Sequence, residues 1–300
     1  MSGGPARLLA WDGLSLSAPA AWEPARLGRG YLLLEDAVGP RLELRWQRVA
    51  PGFAPDKALK RLARKKQLGQ GSAHGLAVRS VLAALPGESK ARACAPSAKG
   101  GQGGDALLFV LPGGATAVLA ALHPRPEDAP APDWPAILLS LVDSAPEALS
   151  LYDIAARVPP GFRLAEFSFA LGHYHIRYRK GGDSLDFSRF APAQAILRDK
   201  TLAAWAGEVF APTLGAKRTW TAGDLDGMEA VASGGFRPLG PAGTVRAVAS
   251  RLYAPARWRP AMAWRADASK ILAVTASHCG GLEPQTFEEI CRNYVVVQTP

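Results

Sequence analysis

Residues 14–24, LSLSAPAAWEP, and residues 154–164, IAARVPPGFRL, are the stretches whose comparison decides the fold. Aligned, Leu14 matches Ile154, Pro19 matches Pro159 and Trp22 matches Phe162. Each reads as a short strand, a turn and an aromatic anchor. Proline suits the turn because its ring fixes φ and leaves no N–H for a strand ladder. A match at this separation in a 300-residue chain points to two diverged copies of one unit, joined head to tail.

Working outward, YLLLEDAVGPRLELRWQ from Tyr31 matches YHIRYRKGGDSLDFSRF from Tyr174, and both read as hairpins. Leu42, Leu44 and Trp46 alternate with Glu43, Arg45 and Gln47, the period of a strand with one buried face. Asp56-Lys57-Ala-Leu59 and Asp199-Lys200-Thr-Leu202 carry the same offset, and each opens a helix. Leu59 and Leu62 in one copy, Leu202 and Trp205 in the other, mark the buried stripe. Asp56 and Asp199 are expected to cap these helices. Further strand pairs are expected, residues 77–95 against 218–233 and 106–123 against 261–278. Trp134, Ile137, Leu138 and Leu141, matched by Phe287, Ile290, Cys291 and Tyr294, predict a closing helix in each copy. The expectation is an α+β chain of two tandem antiparallel-sheet domains with packed helices, residues 1–148 and 149–300, joined by a short linker.

The order of strand, Pro-aromatic turn, hairpin, helix, antiparallel strands and terminal helix resembles the PsbP/Mog1/DcrB-like α+β sandwich. The resemblance covers nearly the whole chain, twice, and rests on that order and on Pro19 with Trp22 and Pro159 with Phe162. It implies an adaptor, assembly or chaperone-like role without a shared active site, so it carries over no functional residues. A fused double copy would be a covalent pseudo-dimer, monomeric with internal pseudo-symmetry.

Composition narrows the function classes. Hydrophobic residues make up 48% of the chain, enough for substantial cores. No window of transmembrane length is uninterruptedly apolar, so no membrane insertion is expected. The net charge is +9, but Lys and Arg are spread over both halves, where a nucleic-acid site would concentrate them. Cys94, Cys279 and Cys291 show no pairing or metal spacing, which fits a reducing, cytoplasmic setting.

The candidate sites are few. His173 and His175 flank Tyr174 and on a strand share one face, as a metal pair could, although no third ligand is evident and an exposed polar hairpin face explains them as well. His278-Cys279 has a nucleophile beside a base in sequence, whereas catalysis needs them close in space. Residues 101–106, GQGGDA, fit a relaxed dinucleotide pattern but lack its strand and helix context and read as a hairpin loop.

Lys57, Lys60, Arg61, Arg64, Lys65 and Lys66 form the local basic cluster, either a solvated helix face or a contact for an acidic protein or nucleic acid. Arg251, Arg257, Trp258, Arg259, Trp264 and Arg265 interleave basic and aromatic residues, a mixture that can stack bases or grip a protein hot spot, although strand amphipathicity explains much of it. No cofactor is implied. The first expectation is a non-catalytic binding, scaffolding or chaperone-like protein that engages another protein. The alternatives are a metal or small-molecule site between the copies using His173, His175 or His278, and weak nucleic-acid binding through residues 57–66.

Overall fold

The computed structural model describes residues 5–64, 68–69, 75–87, 90–96, 105–128, 130–144, 148–215, 217–235, 258–278 and 282–297. They fall into two compact units divided between Tyr152 and Asp153. The fold is mixed α+β and sheet-rich, with antiparallel pairing and six helices among the described residues.

In the first unit, β1 (Ala6–Trp11) and β2 (Leu14–Pro19) form a hairpin, flanked by β10 (Val142–Asp143) on β2 and β11 (Ala148–Leu151) on β1. The larger sheet is built from β3 (Glu23–Gly28), β4 (Tyr31–Asp36), β5 (Gly39–Arg48), β6 (Leu68–Gly69), β7 (Arg92–Pro96), β8 (Asp105–Val110) and β9 (Thr116–Leu122). Its order is β3-β4-β5-β9-β8-β7-β6. The inward positions of β5, Leu42 and Leu44, are fully buried and share a core with Val118, Leu107 and Phe109. Two helices, α2 (Leu76–Ala84) and α3 (Trp134–Leu139), close that core through Val78, Val81, Trp134 and Ile137. Each large side chain removed from water here contributes about 1.5–3 kcal/mol. The third helix, α1 (Pro55–Arg64), precedes them in the chain.

The second unit holds β12 (Ile154–Arg157) paired with β20 (Val295–Val296), much as β2 pairs with β10 in the first. Its large sheet comprises β13 (Arg163–Ala170), β14 (His173–Lys180), β15 (Asp183–Phe190), β16 (Thr221–Leu225), β17 (Met228–Ser233), β18 (Ala261–Arg265) and β19 (Ile271–Ser277). The order is β13-β14-β15-β19-β18-β17-β16, position for position that of the first unit's large sheet. The helices are α4 (Ala193–Ile196), α5 (Leu202–Leu214) and α6 (Pro284–Arg292). On one face of the sheet, Phe187 and Trp264 meet Tyr294, just past α6, edge-on at 5.1 and 6.0 Å. On the other, Trp205 and Phe210 of α5 pack with Phe190, Ala263 and Ala273.

Local details repeat as well. The Trp22 amide donates to the Pro19 carbonyl at 2.9 Å and the Phe162 amide to that of Pro159 at 3.3 Å. The ladder slips at Pro24/Arg26 between β3 and β4 and at Leu164/Glu166 between β13 and β14. Gly30 and Gly172 turn the chain at φ +59° and +83°, and a Cβ there would lie 2.3 Å from the Trp46 carbonyl oxygen and 2.9 Å from that of Ala191.

Four expectations need correction. Residues 76–84 are the helix α2 and not a strand, because Val78, Val81 and Leu82 fall at i, i+3, i+4. Thr201, not Asp199, caps α5, accepting from the Ala204 amide at 3.2 Å, and Asp56 lies inside α1, where it binds Arg92 at 2.7 Å. In the first strand of the hairpin the buried partners are Leu32 with Ile176, one place away from the Tyr31–Tyr174 match, because the β4–β5 ladder slips at Leu34/Glu35 where β14–β15 runs regularly. Finally, Trp258 and Trp264 are buried and not a surface aromatic pair.

Candidate functional site

Strand alternation builds the site. Across β14, β15 and β19, Arg177 stands opposite Asp186 and Arg179 opposite Ser184, while Asp186 faces Thr275 and Ser184 faces Ser277. These six side chains line one corner of the second unit's sheet, and α5, which covers the apolar remainder of that face, ends there at Thr213 and Leu214. The result is a cavity of about 360 Å³, bordered also by the β14–β15 turn and by Arg259.

Asp186 is the buried hinge of the charge network. Its Oδ1 accepts from Arg177 Nε at 2.5 Å and lies 2.9 Å from His175 Nε2. Arg177 Nη1 and Arg179 Nη2 donate to the two oxygens of Glu166 at 3.1 and 3.0 Å. Burial opposes the charge of Arg177, but Asp186 and then Glu166 outweigh it and raise its pKa.

Arg218 and Arg259 are held differently. Arg218 Nη1 donates to the carbonyls of Gly234 and, at 2.6 Å, Arg259, while Arg259 Nη1 donates to the Thr213 carbonyl at 2.9 Å. Neither has a carboxylate partner among the described residues. The second unit's remaining residues, 216, 236–257, 279–281 and 298, contain no Asp or Glu, so the chain's own sequence there offers none. Burial, then the neighbouring Arg259, push the pKa of Arg218 down.

The predicted histidines lie beside this corner. His173 and His175 share a face of β14 with ring centroids 6.3 Å apart, and His173 stacks on Phe190 at 4.3 Å. Desolvation, then His175, lower the pKa of His173. Among the described residues no group of three or more His, Cys, Asp or Glu could hold a metal ion. His278 is 3% exposed, stacks on Trp258, and has no hydrogen-bond partner on either ring nitrogen among the described residues. Burial lowers its pKa.

Of the other predicted positions, Lys57, Lys60 and Arg61 are exposed along α1. Arg64 is the last residue of that helix, while Lys65, Lys66, Cys279, Arg251, Arg257 and residues 101–104 lie outside the described residues. Arg259 borders the cavity; Arg177, Arg179 and Asp186 were missed. Their signal was the continuation of one period-two row, His173, His175, Arg177, Arg179, whose first half alone suggested chemistry.

The same corner of the first unit is closed by its own charges. Asp36, at the end of β4, accepts from Arg41 Nε at 2.5 Å and Arg125 Nη1 at 3.0 Å, while Arg41 Nη1 reaches Asp128 at 2.6 Å. Burial alone would raise the Asp36 carboxyl, but the Val38 amide and the two guanidinium groups hold it well below the usual carboxylate range. Bonding to Arg41 likewise lowers Asp128. Where the second unit has Ser184, the first has Arg41, whose side chain is 10% exposed and occupied by two carboxylates.

No helix among the described residues is long and apolar enough to cross a membrane. Compared with protein-family models, with curated proteins and with solved structures, the chain matches none.

Proposed function

We propose that the chain is a non-catalytic binding and scaffolding protein, a tandem duplicate of one PsbP/Mog1-like α+β domain in which the second copy carries an open, arginine-lined recognition site. The shared strand order, the paired ladder slips at Pro24/Arg26 and Leu164/Glu166, and the paired Pro-aromatic turns support the duplication. The observation that carries the functional reading is the contrast between the corners: four side chains satisfy one another in the first unit, whereas the second has a cavity bordered by Arg177, Arg179 and Arg259. Rigid strands that present arginines and hydroxyls around one buried carboxylate suit recognition of a polar group.

The partner in this reading is another protein, which places a polar, acidic group in the cavity. The test is affinity capture under native conditions with the full chain, its Arg179→Ala/Arg259→Ala variant and its Lys57→Ala/Lys60→Ala variant. A stoichiometric protein retained by the parent and by the α1 variant, and lost with the cavity variant, is the expected outcome. Equal capture by all three, or no stoichiometric partner, overturns the proposal.

A further inference from the structure

We infer that the second unit's cavity is a binding site for a phosphate-type oxyanion, a tetrahedral group carrying close to two negative charges. This deepens, and rests on, the reading of that cavity as the recognition site. Three observations bear on ligand class.

The first is charge. Arg177 and Arg179 are balanced by Asp186 and Glu166, and Asp183 also borders the cavity, but the side chains of Arg259 at the cavity and Arg218, bonded to the Arg259 carbonyl, meet carbonyl and hydroxyl oxygens and no carboxylate among the described residues. Two adjacent guanidinium groups repel each other, and an anion relieves that repulsion. A phosphate monoester carries about −1.5 to −2 at neutral pH and three acceptor oxygens, so in the cavity it complements Arg259 and lowers the potential at Arg218, which does not itself line the cavity.

The second is direction. Residues able to donate stand on several elements around the cavity: Arg177 and Arg179 on β14, Ser184 and Ser277 on β15 and β19, and Arg259 at the border, with Asp183 and Asp186 between them. A tetrahedral group offers oxygens in each of these directions, whereas a planar carboxylate offers two in one plane. Guanidinium forks are the side chains best matched to such oxygens.

The third is room. At about 360 Å³ the cavity exceeds what a bare oxyanion fills and leaves space for the group that carries it, such as a phosphorylated side chain or a small phosphate ester.

Calorimetric titration of the full chain at low ionic strength tests the assignment, with inorganic phosphate, a phosphoserine peptide without other acidic residues, and succinate as separate arms. Saturable one-to-one phosphate binding is expected. It should weaken about tenfold or more in Arg259→Ala, recover in part in Arg259→Lys, and stay unchanged in Lys57→Ala/Lys60→Ala. Unfolding curves for each variant separate lost binding from lost fold.

Peptide binding tighter than phosphate supports the site with a protein as the phosphate's source, and binding of free phosphate alone supports it with a small molecule as source. Succinate binding tighter than phosphate, absence of saturation in both phosphate arms, or full affinity in folded Arg259→Ala overturns the oxyanion assignment. Phosphate binding without any stoichiometric protein partner would overturn the adaptor reading alone. A partner captured through the cavity without phosphate affinity would overturn only the oxyanion assignment.

Discussion

Arg177 and Asp186 stand directly opposite each other on β14 and β15, with Arg177 Nε 2.5 Å from Asp186 Oδ1, and the same oxygen lies 2.9 Å from His175. One nearly buried carboxylate therefore orients two cationizable groups at the cavity's edge. Asp186→Ala should cost on the order of 2 kcal/mol in stability, since it removes charge-assisted bonds and leaves Arg177 partly uncompensated. Urea unfolding at neutral pH measures this, and an unchanged midpoint would remove Asp186 from its central place in the network.

In the first unit, acid sensitivity should trace to Asp36 and Asp128. Both carboxyls are depressed in the folded chain, so their stabilisation is complete above the unfolded carboxylate pKa and is lost as pH falls below about 4. Arg41→Met is expected to cost on the order of 3 kcal/mol at pH 7 by leaving Asp128 without its guanidinium. The gap between parent and variant should narrow on acidification. Denaturation curves at neutral pH and below pH 4 check the sign, and a gap that widens on acidification contradicts it.

His278 sets a second pH window. Its folded pKa is lowered by burial, so the unfolded chain takes up the proton first, and stability falls as pH drops below about 6.5. With neither ring nitrogen bonded among the described residues, His278→Phe should keep the stack on Trp258, leave stability at pH 8 nearly unchanged and raise it at pH 5. Thermal unfolding at the two pH values distinguishes this from a ring whose protonation the fold favours, which would make the variant the less stable chain at pH 5.

The start of α5 can be checked by two single variants. Thr201→Ala, which removes the acceptor for the Ala204 amide, should lose about 1 kcal/mol, and Asp199→Ala much less. Equal losses in chemical denaturation would restore Asp199 as the cap.

The elements with strong internal periodicity were legible in the sequence. Leu42 and Leu44 on β5 are buried at period two, and Phe287, Ile290, Cys291 and Tyr294 are buried at helical spacing. Features set by contacts between distant segments were not. The β4–β5 slip depends on how Gly39 and Pro40 seat against Asp36 and Glu35 of β4, which no spacing rule encodes. Asp199 looked like a cap because it shares the Asp-Lys pair with Asp56, but the capping position falls two residues later, at Thr201, where a hydroxyl suffices. The cavity was hidden for a similar reason. Arg177, Asp186, Ser277 and Arg259 are scattered over more than eighty residues and meet only through strand order, while the basic run of α1 was conspicuous because it is contiguous.

The cavity's arginines, hydroxyls and acid stand mainly on β14, β15 and β19, consecutive strands in the interior of the sheet. Groups mounted on a hydrogen-bonded ladder lose little freedom when a ligand arrives, so most of the ordering cost is already met in the free protein. Complex formation should then be a single-step encounter, its rate set by diffusion and ionic strength, with relaxation rates that rise linearly with ligand concentration.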